Sequence, residues 1–323
     1  MSGVWVVLEE RNGRIARMSW EALAAGQTLG TQMSLPVNAV LPGAQVDLPA
    51  AEIAAKGVAR VVRLEHPLLS PYTSDAFTLA LEQFIRAEQP DFVVYPHTYQ
   101  VRDYVPALAA RFGQVLIGDV TWIGSGPIFV RQLMQGRLSG EYRHPGGGPC
   151  FVSVQSGAFR AEQTESAPAT VETITPQINP EQIRVKPGEP FRGSAQTVDL
   201  GSAQFIVSVG RGIKEAENLP IVQELAAALG AELAASRPIC DNGWLPIERQ
   251  VGSSGQTVSP KLYLAVGISG AIQHLVGMKG SQCVVAINRD PDAPIFEIAD
   301  YGIIGDLFEV VPALTEAVKA AKQ

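Results

Sequence analysis

Apolar runs of strand length alternate with amphipathic runs of helix length over most of this 323-residue chain. VWVVLEE from Val4 and DFVVYPH from Asp91 have the continuous apolar character of buried strands. DAFTLALEQFIRAEQ from Asp75 instead carries apolar residues at helical spacing. Strands that alternate with helices pair as a parallel sheet whose two faces the helices cover. The sequence therefore predicts an α/β fold built on doubly wound parallel sheets.

The alternation stops at about Ile128 and resumes at Gln204, which predicts two domains. Residues 128–145 and 148–159 indicate β segments in hairpin order, separated by the turn-forming PGGG. Residues 161–200 are rich in Pro, Thr, Glu and Gln and are expected to be a connector, with strand-like fragments such as IRVKPG and no strong helix. We therefore expect an N-terminal α/β domain over residues 1–195 and a smaller doubly wound domain over residues 196–323.

The charge and cysteine content narrow the classes of partner and cofactor. The formal net charge is −7 and Lys and Arg are not clustered, which argues against nucleic acid and against an anionic membrane surface. The apolar runs are too short for membrane insertion. The three cysteines lie far apart without a CxxC, which argues against a disulfide framework, zinc or an iron–sulfur cluster. No signal peptide is visible, which favours a bacterial cytoplasm, or a mitochondrial matrix after removal of a leader.

The segment LAVGISGAIQHLVGM, from Leu264 to Met278, joins a buried strand to a helix through a glycine-bearing turn. Free backbone N–H groups and the helix dipole favour an anion at such a turn, and the Ser269 hydroxyl is placed to bond a phosphate oxygen. The alternative is a plain helix cap, because many α/β proteins carry a similar turn for packing alone. His274 lies in the expected helix, where a lone histidine is more often structural than a ligand.

Three further segments carry polar residues beside expected strand ends. The loop-like residues 236–255 contain an arginine and two adjacent serines, and loops at the carboxyl edge of α/β sheets often carry function. In VGRGIK, Arg211 stands between two glycines after a strand and is suited to pair with phosphate. Asn288 ends an expected strand, and Asp306 starts the last expected helix. Each of them either bonds a ribose or an adenine, or caps or turns the chain. The alternative for residues 236–255 is an irregular surface loop, and the alternative for Arg211 is a turn with an exposed arginine. Asn288 and Asp306 would then be ordinary capping or turn residues.

These segments together carry a resemblance to a known family. SGAIQH, AIN-x-DP-x-APIF and ADYG-x-x-x-DLF occur in order within residues 258–316, with GRG and ASR upstream. This combination closely resembles the FAD domain of electron-transfer flavoprotein alpha subunits, over residues 204–315. A weaker resemblance continues through the first domain, where LIGDVTWI fits the adenine-nucleotide-hydrolase-like N-terminal domain of that family.

The resemblance implies that FAD is the cofactor and assigns a role to each matching residue. Arg211 matches an arginine that contacts FAD, and Arg237 matches one close to the isoalloxazine ring. Ser254 stands where a hydroxyl meets flavin N5, and His274 stands near flavin O2. Residues 269–274 match the turn and helix that cradle the pyrophosphate. Asn288 and Asp306 match the residues that hold the adenosine end. The expected cofactor-binding residues are Arg211, Ser236, Arg237, Val251, Gly252, Ser253, Ser254, Ser269, Gly270, Ala271, Ile272, Gln273, His274, Asn288 and Asp306.

The flavin loop departs from the family. Many members have VGQTG where this chain has VGSSG, so Ser253 replaces a glutamine and Ser254 replaces a threonine. The hydroxyl at N5 is kept and an amide is lost. The changed loop puts the usual tuning of the flavin in doubt, and an electron-bifurcating system is therefore an open alternative. A positive group near N1 and O2 stabilises negative charge on a reduced flavin, and Arg237 and His274 are the candidates.

The implied function is that of an FAD-containing electron carrier and not of an enzyme with its own substrate. The carrier accepts electrons from dehydrogenases and passes them to a quinone reductase or another acceptor. Its expected partner is a smaller beta subunit, which packs against the N-terminal domain and binds AMP or a second flavin. A flexible link is expected near residues 194–203. The alternative is an adenine-nucleotide-binding regulatory module without redox activity, which needs a phosphate turn but no loop shaped around a flavin.

Overall fold

A computed structural model describes residues 3–134, 136–160, 169–188 and 200–322. The chain divides into two compact units, residues 1–190 and 191–323. The expected boundary at residue 195 and most of the expected link at residues 194–203 lie outside the described residues. In the part of the chain that the structure describes, no helix combines the length and the apolar character that crossing a membrane requires.

The first unit is a mainly parallel sheet with helices on both faces. Its described strands are β1 (Val4–Val7), β2 (Glu10–Arg11), β3 (Arg14–Ile15), β4 (Val37–Gly43), β5 (Arg60–Glu65), β6 (Phe92–Pro96), β7 (Leu116–Gly124), β8 (Ile128–Leu133), β9 (Leu138–Arg143), β10 (Cys150–Val154) and β11 (Thr170–Ile174). Its described α-helices are α1 (Arg17–Met33), α2 (Asp47–Ala54), α3 (Ser74–Glu88) and α4 (Tyr99–Arg111). The sheet order is β11–β5–β4–β1–β6–β10–β7–β8–β9, and β2 pairs with β3 separately.

The central strand β1 shows why continuous apolar runs form this sheet. Successive side chains of a strand point to opposite faces. Val4 and Val6 pack in the core that contains residues of α1 and α2, whereas Trp5 and Val7 pack in the core that contains residues of α3 and α4. Both faces are therefore covered, and the predicted parallel α/β architecture is confirmed.

The expected hairpin order of residues 128–159 is wrong for its last strand. β8 and β9 form an antiparallel hairpin at the sheet edge, but β10 lies between β6 and β7 and runs parallel to both. All five residues of β10 are buried, as a central parallel strand requires. The expected connector also contains β11, which pairs with β5 at the other edge, while residues 183–188 are not a strand.

The second unit is a smaller sheet in which every strand pair is parallel. Its described strands are β12 (Phe205–Val209), β13 (Glu232–Ala235), β14 (Leu262–Val266), β15 (Val284–Asn288) and β16 (Tyr301–Ile304). Its described α-helices are α5 (Leu219–Leu229), α6 (Arg237–Asp241), α7 (Ile272–Met278) and α8 (Leu307–Ala321). The sheet order is β13–β12–β14–β15–β16, which is a doubly wound order.

Two helix ends of this unit follow from single residues. α5 ends at Gly230, which adopts the left-handed conformation with φ of 69°, as its sequence position predicts. α8 begins after Asp306, whose carboxylate accepts a hydrogen bond from the backbone N–H of Phe308 at 3.0 Å. The capping role that the sequence allowed for Asp306 is thus confirmed.

Candidate functional site

The candidate site lies along the edge at which the strands of the second sheet end. β12 has β13 on one side and β14 on the other, so the direction of strand addition reverses beside β12. Ligands of doubly wound sheets bind outside the carboxyl ends of the strands at such a reversal. The expected site residues all follow these strand ends or lie in the loop and helix next to them.

The turns after β12 and β14 touch each other through their backbones. The N–H of Gly210 donates to the carbonyl of Val266 at 2.9 Å, and the N–H of Gly212 donates to that of Gly267 at 3.0 Å. A Cβ atom on Gly210 would lie 2.4 Å from the Gly267 carbonyl oxygen. Only glycine permits this approach, which holds the two turns together beside the strand reversal.

A cleft of about 100 Å³ opens at the same turns, between the ends of β12, β14 and β15. Arg211, Lys214 and Arg289 line it, together with Asn288 and Asp306. Three cationic side chains and one carboxylate around a small cleft favour an anionic ligand, and guanidinium groups match phosphate oxygens particularly well. The sequence analysis did not predict Lys214 and Arg289. Lys214 lies three positions after the predicted Arg211, and Arg289 lies directly after the predicted Asn288.

The side chain of Asn288 is engaged in fixing this edge. Its Nδ2 donates to the carbonyl of Ile268 at 2.9 Å, and its Oδ1 accepts from the N–H of Asp290 at 3.1 Å. Asn288 therefore ties the end of β15 to the turn after β14. The structural alternative for Asn288 thus holds, and the residue also lines the cleft.

The turn after β14 differs from its prediction in one respect. The expected helix from Ser269 begins three residues later, since α7 starts at Ile272 and its N-cap is Ala271, without a side-chain cap bond. The Ser269 carbonyl accepts from the N–H of Ile295 at 3.1 Å, and the Ser269 side chain is exposed. The plain helix cap, which the sequence analysis left open as the alternative for Ser269, is therefore not formed.

The loop of residues 250–256 packs between β13 and α7. The N–H of Val251 donates to the carbonyl of Ala235 at 2.9 Å, and that of Ser253 donates to the carbonyl of Gln273 at 2.7 Å. These bonds attach the loop to a strand end on one side and to a helix on the other. Ser253 and Ser254 are exposed, so the loop presents two hydroxyl groups on a fixed backbone.

Arg237 is the first residue of α6, directly after the buried Ser236. Its side chain is 68% exposed, and its Nε pairs with the Asp241 carboxylate at 3.2 Å. An exposed pair of this kind contributes roughly 0–1 kcal/mol, so it does not hold the guanidinium strongly. Arg237 is therefore a charged group that is free to reorient toward a ligand.

His274 is buried and neutral. Burial lowers its pKa to about 4, against an opposing effect of the nearby Val251 backbone. Its Nε2 lies 2.9 Å from the hydroxyl of Tyr263, whose pKa burial raises, so the phenol stays protonated. The expected positive charge on His274 is thus wrong at neutral pH.

The hydrogen bond with Tyr263 links the tautomer of His274 to the direction of the phenol O–H. When Tyr263 donates, Nε2 accepts and the imidazole proton resides on Nδ1; in the other tautomer Nε2–H donates to the phenol oxygen. Nδ1 makes no hydrogen bond of normal geometry to any described residue. His274 consequently offers a neutral imidazole nitrogen to a ligand. Tyr263 is a residue that the sequence analysis missed, because the pairing is visible only in three dimensions.

The predicted residues form two groups at one sheet edge. The first surrounds the cationic cleft, and the second comprises the flavin-loop backbone, Arg237 and His274. The turn of residues 267–271 runs between them, from β14 to α7. A cation-lined cleft at one end and hydroxyl, guanidinium and imidazole groups at the other define the class of protein: a doubly wound domain that binds an elongated ligand with phosphate groups.

Comparison with known proteins agrees with this class. Residues 4–179 match the family model described as the electron transfer flavoprotein domain, and residues 199–279 match the electron transfer flavoprotein FAD-binding domain. The electron transfer flavoprotein subunit alpha of Bacillus subtilis is 40% identical over 320 residues, covering 98% of this chain and 97% of the relative. That of Thermoanaerobacterium thermosaccharolyticum is 37% identical, covering 99% and 98%. The acryloyl-CoA reductase electron transfer subunit beta of Anaerotignum propionicum is 33% identical, covering 99% and 96%.

The chain belongs to the alpha subunits of the electron transfer flavoprotein family. Its cofactor is FAD, its role is electron transfer, and the family implies a heterodimer with a beta subunit. The residues present fit this cofactor. The cleft supplies cations for a pyrophosphate, and Nδ1 of the buried His274, which makes no hydrogen bond of normal geometry to any described residue, is a polar atom at the other end of the site.

Proposed function

We propose that this chain is the FAD-carrying subunit of an electron shuttle, which accepts electrons from dehydrogenases and passes them to a quinone reductase or another acceptor. In this proposal it has no substrate of its own. The observation that carries the proposal is the combination, at one sheet edge, of a cation-lined cleft with a rigid hydroxyl-bearing loop and an exposed guanidinium. A site for a nucleotide alone needs only the first of these features.

The residues of the cleft hold the phosphate end of FAD in this proposal. Arg211 pairs with the pyrophosphate, and Lys214 and Arg289 add positive charge beside it. Asn288 and Asp306 hold the adenosine end. Their bonds to Ile268 and to the first turn of α8 keep both side chains in place before the cofactor arrives, so little ordering is needed on binding.

The second group of residues holds the flavin end. FAD supplies the redox chemistry when bound, and the chain orients the ring and adjusts its electrostatics. Arg237 places positive charge beside the ring, Ser254 offers its hydroxyl to N5, and His274 donates from Nδ1 to O2 as a neutral imidazole. Arg237 is then the charged member of this group, and it carries the electrostatic stabilisation of the reduced cofactor.

The beta subunit is proposed to pack against the first unit, with dehydrogenases docking through it. Which dehydrogenase donates is a property of the assembled heterodimer. The regulatory-module alternative is not favoured, because residues 199–279 match an FAD-binding domain and not a nucleotide site alone.

A redox titration of the purified FAD-loaded heterodimer tests the role of Arg237. A unit charge about 4 Å away in a high dielectric contributes about 1 kcal/mol, which is on the order of 40 mV for one electron. We expect Arg237→Ala to lower the midpoint potential by this amount. Lys261→Ala is the matched control, because Lys261 is an exposed cation just before β14, at the opposite edge of the sheet. Equal midpoint potentials for Arg237→Ala and the parent protein would show that Arg237 does not stabilise the reduced flavin.

A further inference from the structure

A buried amide lies directly behind the Ser254 hydroxyl. Gln250 is 2% exposed, and its Nε2 donates to the Oγ of Ser254 at 2.9 Å. A serine hydroxyl has one proton to donate and two lone pairs to accept with. Because the amide occupies a lone pair, the hydroxyl proton of Ser254 is directed away from Gln250, toward the open side of the loop.

The frame that holds this amide is rigid. The carbonyl of Gln250 accepts from the N–H of Gln256 at 2.8 Å, and the N–H of Gly252 donates to the carbonyl of Gln256 at 3.2 Å. A Cβ on Gly255 would lie 2.4 Å from the Gln250 carbonyl oxygen, so the loop is closed tightly around this residue. A bridge between Ala235 and Gln250 joins the frame to the end of β13.

The loop therefore restricts the direction of one hydroxyl. A solvent-exposed serine normally rotates among its staggered positions and exchanges donor for acceptor roles freely. Here a buried donor with a fixed backbone occupies one of these positions, so the proton takes one of the other two, both of which point away from Gln250. The hydrogen bond from Nε2 to Ser254 is the one that the amide makes with the described residues, since its Oε1 has no partner among them.

We propose that Gln250 is a positioning residue, which holds the Ser254 hydroxyl as a hydrogen-bond donor to flavin N5 and so sets the balance between oxidised and reduced cofactor. This inference rests on the proposed function, which places Ser254 at N5. Two electrons from a dehydrogenase and one proton convert N5 of the oxidised flavin, an acceptor, into N5–H, a donor. A hydroxyl that accepts from a buried amide is polarised toward donation, which matches the oxidised form and opposes the N5–H form.

The test is the two-electron midpoint potential of the FAD-loaded heterodimer in a double-mutant cycle of Gln250→Met and Ser254→Ala. Methionine has the length of glutamine and no donor. In Gln250→Met the hydroxyl loses this polarisation and accepts from N5–H more readily, so the ratio of reduced to oxidised flavin at fixed potential rises by up to roughly fivefold, the contribution of one whole hydrogen bond. With Ser254→Ala already present, Gln250→Met changes nothing further.

Gln256→Met is the matched control. It makes the same substitution in the same loop, but the Gln256 Nε2 donates to the carbonyl of Glu248 and not to Ser254. We expect an unchanged potential. Gln250→Leu repeats the test should methionine at this position prevent flavin binding.

Each outcome discriminates. An equal shift in both backgrounds, a shift of opposite sign, or no shift in Gln250→Met would overturn the role of Gln250 while leaving Ser254 at N5. A Ser254→Ala variant with the parental potential would overturn the placement of Ser254 at N5, and with it the role of Gln250, while leaving the FAD-carrying function in place.

Discussion

Gly277 of α7 offers a test in which local and tertiary effects have opposite signs. Alanine is favoured over glycine in a helix by about 1 kcal/mol. A Cβ at position 277, however, would lie 2.4 Å from the backbone nitrogen of Gly252 and 2.5 Å from its Cα, where ordinary contacts begin at 3.4 Å. The flavin loop must therefore retreat by about 1 Å, and overpacking of this kind costs about 1–3 kcal/mol. We expect Gly277→Ala to weaken FAD binding roughly tenfold, which corresponds to about 1.4 kcal/mol.

The assay is equilibrium binding of FAD to the apo-heterodimer, followed by flavin fluorescence, with thermal unfolding measured in parallel. Gly230→Ala is the control. Gly230 has φ of +69°, and among the described residues no atom lies within 4 Å of an added Cβ, so alanine there strains the backbone without touching the site. We expect that control to lose stability and keep its FAD affinity. Unchanged FAD affinity and a higher melting temperature in Gly277→Ala would refute the close packing of the loop on α7.

Two further predictions concern His274 and Asp306. The pKa of His274 is about 4 when folded and 6.5 when unfolded, so the unfolded chain binds a proton first as pH falls. Above pH 6.5 the histidine is neutral in both states and costs no stability. As the pH falls from 6.5 to 4, up to about 3 kcal/mol of the free energy of unfolding is lost. Denaturation curves should show a smaller loss for His274→Gln over this range, and an equal loss would contradict the buried neutral state. Asp306→Ala should destabilise the chain by about 1 kcal/mol through loss of the α8 cap, and Asp306→Asn by less. A melting curve of Asp306→Ala that is identical to that of the parent protein would show that the cap contributes nothing.

The parallel architecture was predictable because its cause is local. A strand buried on both faces needs a continuous apolar run, and VWVV and FVVYP supply one without reference to the rest of the chain. CFVSV is the same kind of run, but the preceding PGGG has the composition of a hairpin turn and suggested the wrong neighbour. Strand order depends on distant pairing, which no turn sequence specifies.

The site was predictable in position and less so in chemistry. Motif spacing identified the segments at the sheet edge, since each follows a strand end. The charge of His274 and the start of α7 depended on burial and on contacts between distant residues, and both predictions were wrong. Gln250 and Tyr263 were missed for the same reason, because each acquires its role from a partner that lies near it only in the fold.

The central claim is that the second unit carries a redox-active FAD, and the absorption spectrum of the purified chain with its beta partner tests it most directly. The account predicts flavin absorbance in an amount stoichiometric with the chain, which bleaches on stepwise reduction and returns on reoxidation. A colourless protein that cannot be reconstituted with FAD, or a bound flavin that stays oxidised throughout the titration, would contradict the account and favour a nucleotide-binding module without redox activity.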